Sequence, residues 1–257
     1  MTTVHPSSVV DPEAALADGV EIGPFCHVGP GVEIGAGSRL LGHVTIAGPT
    51  RIGSGNTFFP YCSIGQRSQD LKYSGEPTHL EIGNDNSFRE FCTVNRGTSP
   101  GAKTLVGNGG NFLAYSHVAH DCTVGDHVIF SNNGTLAGHV FVEDHAIIGG
   151  LSGVHQFCRI GRHAIVGGCT KIVQDVPPYM IADGNPAEVR GTNQIGLERR
   201  GFSAEDTRAL REAYRHLYRS NLNVKQACEK IRAELSGPDV IETLVAFIEA
   251  SQRGIIR

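Results

Sequence analysis

Tryptophan is absent, methionine occurs only twice, and aromatic residues make up 7 % of the chain. With thirty-three glycines alongside, this balance favours many tight turns over long packed helices. No run of eighteen consecutive apolar residues occurs, and residues 1–19 lack a basic start followed by an apolar run. Neither stable membrane insertion nor a secretory leader is therefore expected, and a cytoplasmic location is. Positive charge is not in excess, since the net charge is −4, which gives no general reason to expect nucleic acid as a partner. The seven cysteines contain no CxxC pair, so neither a disulfide framework nor a zinc-ribbon spacing is indicated. What remains is a 257-residue chain, 40 % hydrophobic, with enough apolar residues for a sizeable core in one or two domains.

Those apolar residues recur every sixth position. Starting at Val10 and stepping by six to Ile172, 25 of 28 positions are Leu, Ile, Val or Phe. The exceptions, Asp70, Glu76 and Pro100, fall in the polar segments QRSQDLKYSGEPTH and RGTSPGAK. These are expected to be loops, near 66–81 and 96–105, that leave the repeat and return to it. A six-residue period with glycine often following the apolar residue, as at Gly23, Gly125 and Gly161, is the signature of a hexapeptide β-helix. Each hexad is a short strand plus a turn, and three hexads make a coil of eighteen residues. The fourth residue after each apolar one also points inward at a cramped corner. Cys26, Cys62, Cys92, Cys122 and Cys158 occupy that slot, so these five are expected as small core residues rather than chemical ones. The repeat is expected to end after Ile172, at Asp175-Val176-Pro177-Pro178.

An irregular stretch to about Gly201 then gives way to helix. Ser203 and Asp206 resemble a capping box, and Leu210, Ala213, Tyr214, Leu217 and Tyr218 form one apolar face. Arg208, Arg211, Arg215 and Arg219 make a basic stripe on the same helix, either a solvated face or a docking surface for an acidic partner. Two more helices are expected near 222–235 and 240–252, separated by Ser236-Gly237-Pro238. The fold class predicted is mainly β: a parallel β-helix over residues 1–190, followed by a small α-helical C-terminal domain over 191–257.

Twelve histidines are many. His5, His27, His43, His79, His127, His145, His163 and His216 are read as surface or turn residues. The others are placed by the repeat. Val118, Leu136 and Val154 are eighteen apart and share one column, with neighbours about 4.8 Å apart. Relative to them His120 sits at +2, His139 at +3 and His155 at +1, which clusters three histidines at one outer corner, with His117 pointing outward from the adjoining strand. A histidine base needs a neutral imidazole held in one tautomer. Asp121 is placed either to hold it or to cap a turn. Three clustered histidines are also what a zinc site would need, as in β-helix proteins resembling γ-class carbonic anhydrases.

The segments QDLKYSGEPT, HVAHDCTVG, TLAGHV, VHQFCRIG, VGGC, QDVPPY, GNPA and GLERRGF, in this order, resemble the UDP-N-acetylglucosamine acyltransferase family along essentially the whole chain. The resemblance implies a left-handed coil, a homotrimer with sites in clefts between subunits, and no metal or other cofactor. It implies transfer of an (R)-3-hydroxyacyl group from acyl carrier protein to the 3-hydroxyl of UDP-N-acetylglucosamine, the first step of lipid A synthesis. His120 matches the general base, Asp121 the residue that orients it, and Gly138 the amide that stabilises the oxyanion. Asp70 and Lys72 match sugar-binding positions. His117, His139, His155 and Gln156 match residues around the sugar and phosphates. Asn193, Arg199 and Arg200 match nucleotide- and carrier-contacting positions, and Gly168 matches the residue that measures the acyl chain. Where the family often carries a glutamate, two residues after Asn193, this chain has Ile195. N-acylation of a 3-amino sugar analogue is the alternative reaction. The related N-acyltransferases of the pathway carry an extra N-terminal domain, for which hexads beginning by Val10 leave no space. A non-catalytic β-helix would show Thr-x-Thr arrays that are missing here.

Overall fold

The computed structural model describes residues 1–235 and 237–257; of the expected breaker Ser236-Gly237-Pro238, Ser236 lies outside the described residues. Among the described residues, short strands stack into three sheets of eleven, nine and eight strands. The first runs from Thr3–Val4 to Ala187–Thr192, the second from Val9–Val10 to Lys171–Ile172, and the third from Ala15–Leu16 to Arg159–Ile160. Consecutive strands go to different sheets, so the chain winds round a three-sided prism. The register confirms the eighteen-residue coil: Val118 pairs with Leu136 and Leu136 with Val154, all in parallel.

The inward column is buried from Ile22 to Ile172, whereas Val10 and Leu16 in the first coil are half-buried. Phe58, Phe88, Phe112 and Phe130 stack down the interior with ring centroids 5.1, 4.5 and 5.0 Å apart. Burying each ring stabilises the fold by about 1.5–3 kcal/mol. Phe58 pairs with Phe88, and Phe88 with Phe112. Those steps of thirty and twenty-four residues exceed a coil by two hexads and by one. The loops thus insert whole hexads, which is why the period keeps phase across them. Strands Ser63–Gln66, His79–Ile82 and Lys103–Val106 reach into the expected loop segments, and Thr93–Asn95 ends where the second begins. The loop roots pair, Gln66 with Asn95 and His79 with Lys103, so the unpaired parts are 67–78 and 96–102.

The five cysteines are buried as expected. Burial pushes the Cys122 thiol up to about 12 and Cys158 to about 11, far from the low-pKa thiolate that reactive cysteines need. Coils approach closely at the corner glycines: a Cβ on Gly23 would lie 2.4 Å from the Leu41 carbonyl oxygen.

The six-residue phase ends after Ile172 as expected, but the coil goes on. Ile160 bridges Val176, and Ile165 and Val166 pair in parallel with Ile181 and Ala182. These steps are sixteen residues, so the last coil is two residues short and drops out of the six-residue phase. The strand Met180–Gly184 then turns back into Ala187–Thr192, antiparallel to it, in a stretch expected to be irregular. Helix α1 (Gln194–Arg199) follows, and then α2 (Ala204–Tyr218), α3 (Val224–Glu234) and α4 (Asp239–Glu249). The Ser203–Asp206 capping box forms in both directions. Leu210, Ala213 and Leu217 are buried while the four arginines Arg208, Arg211, Arg215 and Arg219 are exposed. The last residues return to the prism, where buried Asp175 accepts from Ser251 Oγ at 2.6 Å and from the Ile256 amide at 2.9 Å. Among the described residues no helix is long and apolar enough to cross a membrane.

Candidate active site

Because most strands are only two residues long, the outward face of the second sheet and its corner with the third are built from few positions per coil. His117 precedes inward Val118, and residues 119–122 turn the corner into the third sheet. His117 takes a hydrogen bond with Thr93 Oγ1, one coil below, at 2.7 Å. Burial, and secondly the nearby His120, holds its pKa below the ordinary imidazole value.

His120 is only 9 % exposed, and its Nδ1 lies 2.8 Å from Asp121 Oδ2. A carboxylate there accepts Nδ1–H and leaves Nε2 as the basic nitrogen. Asp121 holds a left-handed backbone conformation (φ 60°), which aspartate tolerates better than most residues. Its amide donates to Thr104 Oγ1 at 2.8 Å, and its Oδ1 accepts from the Thr98 amide at 3.1 Å. Asp121, expected either to orient the histidine or to cap a turn, meets the imidazole through Oδ2 and a loop amide through Oδ1.

Gly138 sits one coil above. A Cβ there would lie 2.3 Å from His120 Cε1 and 2.5 Å from Nε2, so the imidazole stands directly against this glycine and any side chain would displace it. No backbone carbonyl takes the Gly138 amide among the described residues. A cleft of about 440 Å³ opens here, lined by Asp70, His117, His120, His155 and Lys171.

The cluster differs in detail from the corner arithmetic. His139 lies behind the pair, its Nε2 3.7 Å from Asp121 Oδ2 and its ring stacked on Phe157 at 4.7 Å. His155 is exposed and lines the cleft, whereas Gln156 is exposed outside it. Lys72 is exposed, and its amide donates to Asp70 Oδ1 at 2.9 Å. Potential ligand atoms of His120, Asp121 and His139 lie within 4.8 Å of one another. His120 Nδ1 and Asp121 Oδ2, however, face each other rather than a common point.

Asn193, Arg199 and Arg200 are in a different place. They border a second cleft, of about 990 Å³, over the first sheet, together with His145 and exposed Ile195. Asn193 caps α1, its Oδ1 accepting from the Gly196 amide at 3.1 Å and its Nδ2 donating to the His163 carbonyl at 2.9 Å. Arg200 donates to His145 Nδ1 at 2.7 Å. His127, His145 and His163 stack face to face at 5.0 and 4.7 Å. His163, read from the sequence as a surface or turn residue, is in a turn but buried. Burial, then its charged neighbours, pushes its pKa down to about 4. Gly168 stands exposed at the corner between the first and second sheets, where a Cβ would meet only the Gly150 carbonyl oxygen at 3.5 Å.

Several residues of the site escaped the sequence. Lys171 was legible, because it occupies the slot of His117 three coils on. Ser68, Thr98 and Thr104 carried no signal, since they act from or beside loops that the period does not describe.

Comparison with known proteins follows the same outline. A bacterial transferase hexapeptide family (six repeats) matches residues 13–48. A family described as UDP N-acetylglucosamine O-acyltransferase, domain 2, matches residues 175–256. The acyl-[acyl-carrier-protein]–UDP-N-acetylglucosamine O-acyltransferase of Burkholderia lata is 50 % identical over 262 residues, covering 100 % of both chains. The crystal structure of UDP-N-acetylglucosamine O-acyltransferase from Moraxella catarrhalis matches with a TM-score of 0.95 at 44 % identity, over 99 % of each chain. That from Acinetobacter baumannii matches at 0.92 and 45 %, again over 99 % of each chain. The fold class is the left-handed parallel β-helix with a small helical C-terminal part that the resemblance implied. With half its residues in common with such a relative from end to end, the chain belongs to the UDP-N-acetylglucosamine O-acyltransferase family.

Proposed function

We propose that this protein transfers an (R)-3-hydroxyacyl group from acyl carrier protein to the 3-hydroxyl of UDP-N-acetylglucosamine, opening lipid A synthesis in the cytoplasm. The observation that carries the reading is His120, held through Nδ1 by Asp121 at 2.8 Å with its other nitrogen against Gly138. His120 Nε2 takes the proton of the sugar 3-hydroxyl as that oxygen attacks the thioester carbonyl. Asp121 stabilises the imidazolium so formed. The Gly138 amide donates to the oxyanion of the tetrahedral intermediate. Collapse breaks the C–S bond, and the proton on His120 goes to the departing thiolate, leaving an ester and the free carrier thiol. No cofactor enters this balance.

Asp70, Lys72, His117, His139, His155 and Gln156 are assigned to the sugar and phosphates, and Asn193, Arg199 and Arg200 to the nucleotide and carrier. The exposed stripe Arg208, Arg211, Arg215 and Arg219 suits an acidic carrier protein. Gly168 leaves room for a long acyl chain.

The two clefts lie on the first and second sheets, which share one corner. If the second sheet of one copy faces the first sheet of the next, each site is completed by a neighbour and the shared corner points at the symmetry axis. That corner carries an exposed aromatic stack, Phe25, His43, Tyr61, Phe91 and Tyr115, with centroids 4.8–5.0 Å apart. A closed homotrimer covers it, which supports that assembly. Incubation with UDP-N-acetylglucosamine or its 3-amino analogue and a panel of 3-hydroxyacyl carriers, read by mass spectrometry, tests the function. A nucleotide sugar heavier by one hydroxyacyl group is expected from the hydroxyl acceptor. No acylated nucleotide sugar from any pairing overturns the proposal, and acylation of the amine alone replaces the acceptor.

A further inference from the structure

The two excursion loops are joined by a buried polar chain that ends on the His120–Asp121 pair. Ser68 Oγ, in the first loop, accepts from the Asp70 amide at 3.1 Å. The same oxygen lies 2.7 Å from Thr98 Oγ1, in the second loop. The Thr98 amide donates to Asp121 Oδ1 at 3.1 Å, and Asp121 Oδ2 meets His120 Nδ1 at 2.8 Å. Ser68 is 6 % and Thr98 7 % exposed. Water does not compete freely for bonds buried so deeply, and a partner left unmade there is costly.

Both loops are tied at their roots. The Arg96 amide donates to the Gln66 carbonyl at 2.9 Å and its guanidinium to the Gly65 carbonyl at 3.0 Å. The Gly101 amide donates to the Pro77 carbonyl at 2.8 Å. Beyond these roots, where Asp70 lines the cleft, Ser68–Thr98 is the side chain to side chain hydrogen bond between loops 67–78 and 96–102 among the described residues. It lies between a residue assigned to the sugar and the carboxylate that sets the tautomer of the base.

We propose that Ser68 and Thr98 are positioning residues that couple seating of the acceptor sugar at Asp70 to orientation of His120 by Asp121. The proposal rests on the reading of Asp70 as a sugar ligand and His120 as the base. A coupling of this kind is reciprocal: whatever loosens the loop pair weakens acceptor binding and frees the base at once. Loss of the hydroxyl bond therefore shows both in the KM for the acceptor and in the pH dependence of kcat, a combination that a purely structural bond does not give.

The test uses Ser68→Ala, Thr98→Val, the double variant, and Thr98→Ser as the conservative control, all in the full chain. Thr98→Val keeps shape and backbone amide, so the bond to Asp121 stays while the link to Ser68 is lost. Each single variant is expected to raise the KM for UDP-N-acetylglucosamine roughly 5- to 50-fold and to shift the acid limb of the kcat–pH profile. The double variant should be no worse than the worse single, because one bond is shared, and Thr98→Ser should restore both readouts. A lowered thermal midpoint with KM and pH profile unchanged overturns the coupling, as does strict additivity in the double variant. Failure of the underlying reading looks different: His120→Ala would then stay active.

Discussion

Two corners of the prism carry clustered histidines, His120 and His139 at one and His127, His145 and His163 at the other, and they differ in what the rings face. At the corner between the second and third sheets, His120 faces a carboxylate at 2.8 Å, stands against a glycine and borders a cleft. At the corner between the third and first sheets, His127, His145 and His163 stack on one another. Among the described residues the buried His163 Nδ1 there has no hydrogen-bond partner, and burial pushes its pKa down to about 4. Its neighbour His145 accepts from Arg200, which leaves that ring to hold an arginine rather than to take a proton. The residue type is the same, and the partners differ.

Short of removing the base itself, the largest effect expected from breaking this contrast is at Gly138. Gly138→Ala puts a methyl where the His120 ring stands, so turnover should fall on the order of 10²–10³-fold with the thermal midpoint nearly unchanged. Full activity in that variant would separate the ring from the reaction. Asp121→Asn keeps the shape but offers the wrong hydrogen-bonding group to Nδ1, and kcat should drop about 10²-fold or more, measured at saturating substrates.

Smaller effects belong to the other corner. Arg200→Ala removes a cation from the second cleft, so the KM for the nucleotide sugar should rise roughly tenfold while kcat holds. A kcat loss there as large as that of Asp121→Asn would erase the distinction between the corners. Smallest is a pH effect on stability. Between about 6.5, the ordinary histidine value, and about 4, the unfolded chain takes up a proton at His163 that the folded chain refuses. Stability from this group is therefore full above that window and falls as pH is lowered through it. His163→Phe should reduce the slope of urea midpoint against pH between those limits, and an unchanged slope would mean that the ring titrates normally in the fold.

The six-residue step made the prism legible, because each coil repeats the same demand for an apolar residue inward, and Val118, Leu136 and Val154 could be stacked by counting. Inserted whole hexads even preserved that count across both loops. Counting failed where the last coil lost two residues, so Met180–Gly184 and the strand after it were read as irregular although they continue the first sheet. It failed too at the partners of Asp121. Thr98 and Ser68 meet through loop geometry that no period constrains, and Asn193 does its capping through a helix too short to show a repeat. The choice of His120 over His117 as base came from the family resemblance, and the carboxylate contact, made by His120, supports it physically.

The measurement closest to the centre of this account is kcat at saturating substrates for His120→Ala and His127→Ala side by side, with trimer mass and circular dichroism recorded for both. A fall on the order of 10²–10⁴-fold in the first, with the second within a few-fold of the parent, is what the two corners predict. Comparable turnover in His120→Ala, or equal losses in both, would contradict it.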